Sequence, residues 1–325
     1  MHPSQSTFPA AGAAVSGPAR IVLARPRGFC AGVERAIAIV ERALERFGAP
    51  VYVKHAIVHN RHVVERLQAL GAIFVEDLAG VPTGALVIFS AHGVAPEVHE
   101  EARLAGLTVL DATCPLVTKV HVEARRYAAE HRTIFLVGHA DHVEVIGTRG
   151  EAPHRIVVVG SVEEAERVQA ADAARVAYLT QTTLSLDDTR AIVAVLRRRF
   201  PALTGPNKDD ICYATQNRQT AVDALSREAD VILVVGSAHS SNSNRLVEVA
   251  KTRGVPAYLV ESHRELQPGW LEGRSCVGIT AGASAPEEIV QALVRHVARA
   301  YGATVEEREV VPEAVSFPLP AALTG

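Results

Sequence analysis

The strongest constraint on the fold is the alternation of short, almost wholly apolar runs with longer segments of helical period. Ten such runs, rich in valine and isoleucine, lie at 21–24, 51–53, 86–90, 108–112, 133–138, 155–160, 175–180, 231–236, 257–260 and 276–280. Runs this apolar are typical of strands buried on both faces, and the amphipathic segments between them supply the covering helices. We therefore predict an α/β fold with mostly parallel sheets.

The composition indicates a globular protein with a small partner. The 325 residues suffice for two or three domains, and 33 Lys and Arg against 36 Asp and Glu give a formal net charge of -3. No basic run is present, so we expect neither nucleic acid nor a membrane as a partner. No apolar segment approaches the roughly 18 residues of a membrane span, and the first 18 residues lack the apolar core of a secretory signal. We expect a cytoplasmic protein with a flexible N-terminal extension at 1–18.

Three of the four cysteines open stretches of helical period that resemble one another. The stretches are CAGVERAIAIV from Cys30, CPLVTKVHVEA from Cys114 and CYATQNRQTAV from Cys212. Each carries a basic residue five or six positions after its cysteine, namely Arg35, Lys119 and Arg218. We interpret this pattern as a weak internal repeat.

The spacing of the repeat predicts three similar small α/β domains, each giving one cysteine to a common centre. The predicted boundaries are 19–113, 114–210 and 211–300, with an extended C-terminal tail at 301–325. Cys276 differs from the other cysteines, because it lies inside the strand pattern SCVGIT. We predict a buried core thiol there.

A cysteine at a helix start is open to three interpretations: a small core residue, half of a disulfide or a reactive thiolate. A cytoplasmic compartment argues against the disulfide. The positive end of the helix dipole lowers a thiol pKa and favours the thiolate as a metal ligand. Pro115 after Cys114 suits the first helical turn. Metal binding or catalysis therefore gains weight over unrelated core cysteines.

Polar clusters follow many of the predicted strands at their carboxyl ends, where ligands bind in open parallel sheets. The clusters lie at 58–62, 90–94, 138–144, 180–183, 239–245 and 280–284. Taken singly, each also reads as a helix cap. Together they provide hydroxyl, amide and imidazole groups suited to an anion such as a diphosphate, whereas neither GxGxxG nor a P-loop is present. Glu144 is open to two interpretations. Among these neutral groups its pKa would be raised, and it would serve as a proton donor; otherwise it is only an acidic residue in the first turn of a helix.

Eight stretches taken together resemble one enzyme family, 4-hydroxy-3-methylbut-2-enyl diphosphate reductase, the last enzyme of the non-mevalonate isoprenoid pathway. They are ARPRGFCAGV (24–33), VHNRHVV (58–64), IFSAHGV (88–94), DATCPLVTKVH (111–121), TQTTLS (180–185), KDDICYATQNRQ (208–219), SSNSNRL (240–246) and TAGASAP (280–286). The resemblance implies a pseudo-threefold, three-lobed α/β fold around one central iron-sulfur cluster.

The resemblance also implies roles for individual residues. Cys30, Cys114 and Cys212 are the implied ligands of one [4Fe-4S] cluster per chain with one open iron. Glu144 is the implied proton donor, supported by Thr182 and His142. The implied contacts to the diphosphate or its surroundings are His59, His92, His142, Thr182, Ser240, Ser241, Asn242 and Ser284. Protonated histidines are expected to balance part of the diphosphate charge.

The implied reaction is a two-electron, two-proton reductive dehydroxylation that forms isopentenyl and dimethylallyl diphosphates. The implied electron donor is a ferredoxin or flavodoxin, and the chain is expected to be a monomer or homodimer. Two other functions stay open: an iron-sulfur hydro-lyase without redox chemistry, and a mononuclear zinc hydrolase. Val143 stands where the family usually has proline, which is expected to loosen the turn before Glu144.

Overall fold

A computed structural model describes residues 17–324 of the chain; residues 1–16, which make up most of the predicted N-terminal extension, lie outside the described residues. The strands are β1 (Arg20–Arg25), β2 (Val51–Lys54), β3 (Ala72–Val75), β4 (Leu86–Phe89), β5 (Thr108–Asp111), β6 (Thr133–Val137), β7 (Ile156–Val159), β8 (Val176–Thr180), β9 (Val231–Val235), β10 (Ala257–Val260), β11 (Cys276–Ala281) and β12 (Thr304–Glu309). The α-helices are α1 (Ala31–Phe47), α2 (Arg61–Ala69), α3 (Pro96–Leu104), α4 (Pro115–Ala129), α5 (Val143–Gly150), α6 (Val162–Arg167), α7 (Leu186–Arg199), α8 (Tyr213–Leu225), α9 (Ser241–Thr252) and α10 (Glu287–Tyr301). Short 3₁₀ turns lie at His263–Glu265, Pro268–Trp270 and Ala321–Leu323.

The chain forms two compact units. The first contains the described residues up to Cys30 together with Ala214–Ala314, and it holds one five-stranded sheet in the order β10-β9-β11-β1-β12. Every residue of β9 and β11 is buried, because the sheet is covered on both faces by separate apolar clusters. This burial is what the continuous apolar runs predict.

The second unit contains Ala31–Tyr213 and the described residues from Val315 onward, and it holds two sheets. Their strand orders are β3-β2-β4-β5 and β7-β6-β8. The strand β6 is buried throughout, with apolar clusters around Phe135 on one face and Ile134 on the other.

The predicted fold class is confirmed, since the described residues form an α/β structure whose three sheets are built from parallel ladders. The domain boundaries at 113, 210 and 300 stay a prediction. One strand differs from them: β1 falls in the predicted domain 19–113, but it pairs with β11 and β12. The sequence around β1 does not show that it pairs with strands about 250 or more positions away, because an apolar run has the same composition in either sheet.

The predicted extended tail at 301–325 contains β12, which is an edge strand of the first unit's sheet. Its sequence TVEERE is exposed at every position. Charged side chains on an edge strand discourage pairing with other chains. The same charges explain why the sequence pattern does not reveal this strand.

Across the described range, residues 17–324, we find no helix that is both long and apolar enough to cross a membrane.

Candidate active site

Three cysteines each lie directly before a helix, as the repeat predicts. Cys30 precedes α1, Cys114 is the N-cap residue of α4 and Cys212 precedes α8. All three are half-buried, and none of the chain's four cysteines, all in the described range, forms a disulfide. At these positions the helix dipole favours the thiolate.

The backbone amide of each of these cysteines is tied to a polar cluster at a strand end. The Cys30 N–H donates to the Ala283 carbonyl at 3.3 Å, and Ala283 is next to Ser284. In the second unit, the Cys114 N–H donates to Ala91 and the Cys212 N–H to Thr182, both at 3.0 Å. Each helix start is therefore held against one of the predicted binding clusters.

Cys276 is set apart from the other cysteines by its surroundings. It lies in β11, is 5% exposed and packs in an apolar cluster of the first unit. Burial raises the pKa of its thiol. These properties suit a core thiol and do not suit a thiolate ligand.

Over residues 17–324, no three or more His, Cys, Asp or Glu side chains form a group that could hold a metal ion. The helix-start cysteines fit an iron-sulfur cluster by their chemistry, because thiolates are its usual ligands and each would bind a different iron.

Three histidines of the second unit lie together after the strands β2, β4 and β6. The ring centroids of His59 and His92 are 4.1 Å apart, and that of His142 lies 5.5 Å from His59 and 6.1 Å from His92. β2 and β4 are neighbours in one parallel sheet and β6 belongs to the other, and each histidine lies beyond the carboxyl end of its strand, where ligands bind in such sheets. The structure therefore brings together three of the predicted binding residues.

Two of these histidines have lowered pKa values in the site without a bound anion. Burial, with repulsion from His59, lowers the pKa of His142 to about 4. Burial and the neighbouring His59 and His142 likewise hold the pKa of His92 well below its usual range. Both imidazoles are therefore neutral at pH 7 before any anion binds, and the expectation that protonated histidines balance part of a bound diphosphate's charge stays a prediction. Proximity of several imidazoles in a buried site is the physical reason for the lowered pKa values.

Glu144 lies in the first turn of α5 and is 4% exposed. Its carboxyl group accepts a hydrogen bond from the Thr182 N–H at 2.6 Å and another from the Thr182 hydroxyl at 3.0 Å. Burial raises the pKa of Glu144 to about 7, although the bonds from Thr182 act in the opposite direction. The carboxyl group can therefore hold or release a proton near neutral pH.

Val143 stands at the start of α5, and the looser turn expected from the missing proline stays a prediction. His142 is the N-cap residue, and its Nδ1 accepts a hydrogen bond from the Glu144 N–H at 3.2 Å. Val143 is the first helical residue, whose N–H has no acceptor within the helix. Proline and valine are both compatible with that position, and the contacts of Glu144 to Thr182 hold its side chain.

The remaining predicted residues lie in the first unit. Ser240 is the N-cap residue of α9 and accepts a hydrogen bond from the Ser243 N–H at 3.3 Å. Ser241 is half-buried in the first turn, and Ser284 is buried after β11. The side chain of Asn242 is 4% exposed, and neither of its polar atoms has a hydrogen-bond partner among the described residues. A buried amide left in this state indicates a position for a polar ligand.

Sequence reasoning missed two glycines and a threonine beside this helix start. A Cβ atom on Gly236 or Gly282 would lie 2.3 or 2.0 Å from the Ser243 hydroxyl, so only glycine lets α9 approach. The hydroxyl of Thr280 is buried and has no partner within residues 17–324. Thr280 opens the predicted polar cluster at 280–284, and its position at a strand end was the available signal.

Comparison with known proteins identifies the family to which the chain is similar. A family model described as LytB protein matches residues 21–298. A 4-hydroxy-3-methylbut-2-enyl diphosphate reductase of Azoarcus sp. (strain BH72) is 57% identical over 303 residues, covering 93% of this chain and 97% of the relative. A protein of the same name from Zymomonas mobilis subsp. mobilis is 54% identical over 304 residues, covering 94% of this chain and 89% of the relative.

A solved structure is similar over nearly the same extent. The E-1-hydroxy-2-methyl-but-2-enyl-4-diphosphate reductase from Plasmodium falciparum is 41% identical, with a TM-score of 0.92, and the match covers 94% of this chain and 97% of that chain. Because the family model spans most of the chain and the relatives match along nearly their whole length, the chain belongs to the LytB family.

Proposed function

We propose that this chain is a 4-hydroxy-3-methylbut-2-enyl diphosphate reductase of the non-mevalonate isoprenoid pathway. The observation that carries the proposal is the buried Glu144 carboxyl group, which has a pKa of about 7 and accepts two hydrogen bonds from Thr182. The names of the full-length relatives support the same activity. Nothing in the site specifically favours the hydro-lyase alternative.

The cofactor of this proposal is one [4Fe-4S] cluster per chain, with Cys30, Cys114 and Cys212 as thiolate ligands. Their helix-start positions support this assignment, and the core environment of Cys276 supports leaving it out of the ligand set. When bound, such a cluster supplies electrons and an open iron that acts as a Lewis acid on a substrate oxygen.

The reaction removes the allylic hydroxyl of (E)-4-hydroxy-3-methylbut-2-enyl diphosphate. Two electrons and two protons enter, the C–O bond breaks, the departing hydroxyl takes one proton to leave as water, and the other proton ends on carbon. Glu144 would hold a proton for this chemistry on its carboxyl group, with Thr182 fixing the orientation of that group and His142 fixing the backbone at the helix start. The products are isopentenyl and dimethylallyl diphosphates.

The diphosphate would be bound by neutral hydrogen-bond donors. In the second unit the candidates are His59, His92 and His142. The lowered pKa values of His92 and His142 make both rings neutral before the anion binds, and the bound anion would raise those pKa values. In the first unit the candidates are Ser240, Ser241, Asn242 and Ser284, of which Asn242 has both amide atoms available. Binding through many such bonds suits a highly charged diphosphate.

The same proposal includes the partners and setting of the reaction. The electrons would come from a low-potential ferredoxin or flavodoxin, in the cytoplasm. The formal charge of -3 and the lack of a basic run support a small substrate rather than nucleic acid or a membrane. The chain would act as a monomer or homodimer.

The deciding experiment uses the anaerobically purified protein. Iron and sulfide are counted per chain, and turnover of the hydroxylated diphosphate is measured with and without a low-potential electron donor. We expect four irons with matching sulfide and turnover only with the donor. Donor-independent turnover would favour the hydro-lyase, and a colourless, zinc-loaded, active protein would favour the zinc hydrolase.

The ligand assignment has its own variant series. Cys30→Ser, Cys114→Ser and Cys212→Ser are each expected to lose or degrade the cluster, because a thiolate ligand is removed. Cys276→Ser is the matched control and is expected to keep the iron and sulfide of the parent chain. Equal loss of iron in all four variants would overturn the three-ligand assignment.

A further inference from the structure

The three basic residues of the cysteine repeat all donate hydrogen bonds to the backbone just before another cysteine of the repeat. Arg35, five residues after Cys30, donates from Nη1 to the carbonyls of Ala112 at 3.4 Å and Thr113 at 3.2 Å. Thr113 is the residue directly before Cys114. The guanidinium group therefore holds the segment that leads into the second cysteine.

Lys119, five residues after Cys114, makes the corresponding contact to the segment before Cys212. Its Nζ donates to the Lys208 carbonyl at 2.5 Å, the Asp209 carbonyl at 3.3 Å and the Asp210 carboxylate at 2.7 Å. Asp210 is 4% exposed and also accepts a hydrogen bond from the Thr180 N–H at 3.0 Å. The ammonium group thus fixes three consecutive residues that end two positions before the third cysteine.

Arg218, six residues after Cys212, completes the cycle at the segment before Cys30. Its guanidinium group is fully buried and donates to the Gly28 carbonyl at 2.6 Å and to the Phe29 carbonyl at 3.2 Å. Glu313 is 3.3 Å from Nη1 and balances the buried charge. Removing a cation from water is costly. A fully buried guanidinium group that binds main-chain carbonyls is therefore expected to have a specific structural role, unlike a charged group on the surface.

At two of the three positions the same peptide group is held from both sides. The Phe29 carbonyl accepts from Arg218, while the Cys30 N–H of that peptide donates to Ala283. The Thr113 carbonyl accepts from Arg35, while the Cys114 N–H donates to Ala91. Fixing both polar atoms fixes the peptide plane and the position of the cysteine Cα within it, and the helix that follows the cysteine restricts the remaining rotation about its N–Cα bond.

We infer that Arg35, Lys119 and Arg218 are positioning residues for the cluster ligands, each fixing the cysteine that follows the segment it binds. The order is cyclic along the sequence: the helix led by Cys30 serves Cys114, the helix led by Cys114 serves Cys212, and the helix led by Cys212 serves Cys30. This inference rests on the proposed function, because it takes the three cysteines as cluster ligands. It extends the general rule that outer partners orient the direct ligands of a metal group.

The test replaces each cation by a neutral residue and, separately, by the other cation. The neutral variants are Arg35→Gln, Lys119→Gln and Arg218→Gln, and the conservative variants are Arg35→Lys, Lys119→Arg and Arg218→Lys. Arg42→Gln is the matched control, because Arg42 lies on α1 but pairs with exposed Glu45. Each protein is loaded with iron and sulfide anaerobically, and release of iron to a chelator is timed.

We expect the neutral variants to release iron about tenfold faster or more than the parent chain, as for other outer partners of metal ligands. Their reduced clusters should also give an altered electron paramagnetic resonance spectrum, which a general loss of stability would not produce. The conservative variants should recover part of the retention, and Arg42→Gln should behave as the parent chain does. Far-ultraviolet circular dichroism of each variant checks that it is folded.

Two outcomes separate this inference from the proposed function. A parent chain that takes up no cluster overturns the proposed cofactor and this inference with it. A loaded parent chain together with folded Arg35→Gln and Lys119→Gln variants of unchanged release rate and spectrum overturns the inference alone. If Arg218→Gln does not fold, Arg218→Lys and the two less buried sites decide the result.

Discussion

At the scale of single residues, the chemistry of Glu144 and His142 follows from burial. Burial raises the pKa of the carboxyl group to about 7 and lowers that of the imidazole to about 4. Both shifts favour the neutral form of the group at the expense of its charged form. The two side chains therefore give the substrate-free site little charge of its own, and a proton for reduction can reside on Glu144.

Activity should depend on pH through Glu144. Its donor form is protonated, so the rate is expected to fall as pH rises through about 7. Thr182→Val removes the hydroxyl bond that stabilises the carboxylate, so the alkaline limb of the pH–rate profile should move to higher pH. The profile of each protein, measured with an excess of chemical reductant, checks the direction.

Glu144→Gln should keep the fold and the cluster but lower turnover by about 10² to 10⁴-fold, because the amide cannot donate an acidic proton. Iron content and inorganic diphosphate binding serve as controls for an intact site. Near-parental turnover by this variant would remove Glu144 from the mechanism.

Binding of a diphosphate should be accompanied by proton uptake at His142. The imidazole is neutral at pH 7 because its pKa is about 4, and an anion nearby raises that pKa. Calorimetric titration with inorganic diphosphate at pH 6, in two buffers of different ionisation enthalpy, measures the protons taken up. His142→Asn should take up fewer protons than the parent chain. Equal uptake by both proteins would show that His142 stays neutral in the complex.

At the scale of elements, each predicted catalytic or binding side chain lies on a helix start or on a loop that follows a strand. The start of α5 is an example: the His142 side chain caps the helix, and Glu144 follows in its first turn. Sequence patterns predict such helix starts well, because capping residues and apolar period are local signals. They do not predict that Thr182, 38 positions after Glu144, supplies its two hydrogen bonds, since this depends on which strands become neighbours.

Val143→Pro should stabilise the protein by about 0.4 to 1 kcal/mol, chiefly by restricting the unfolded chain. The position is the first of α5, and His142 before it is extended, as a residue before proline prefers. Ile146→Pro is the control, because the Ile146 N–H donates to the His142 carbonyl at 3.0 Å and the change should cost about 3 kcal/mol or more. Denaturant unfolding measures both. A destabilised Val143→Pro chain would contradict the assignment of Val143 to the first helical position.

The cysteine repeat also shows that sequence patterns predict helix starts but not the long-range contacts of the residues on those helices. The sequence places Arg35, Lys119 and Arg218 at matching positions on three helices, and this much is visible without a structure. Their acceptors are carbonyl groups, which every residue carries, so no pattern of side chains identifies them. Only the tertiary fold determines which backbone segment each cation meets.

At the scale of the whole molecule, the α/β class and the parallel sheets follow from the apolar runs. Which strands form the five-stranded sheet of the first unit does not follow from them. β1 is an inner strand between β11 and β12, although it lies near the start of the described chain. The exposed, charged β12 has no strand-like alternation, so the edge of this sheet could be found only from the structure.

Ending the chain after Gly302 should leave β1 as an exposed edge and lower the thermal midpoint by about 5 °C or more, with aggregation on heating. Ending it after Val310 is the matched control, because that chain keeps β12 and loses only the residues beyond it. Thermal unfolding and size-exclusion chromatography compare the two. Equal midpoints for both truncated chains would mean that β12 adds no stability.

The place of β1 between β11 and β12 also has a consequence for the newly made protein. In the register of the sheet, Arg20 is paired with Cys276 on one side and with Thr304 on the other. A ribosome therefore releases β1 long before either neighbour exists, and the apolar faces of that strand must stay exposed or shielded by chaperones while most of the chain is translated. The other two sheets can close during synthesis, so this sheet, which carries the helix start of Ser240 and Asn242, is the last to be completed.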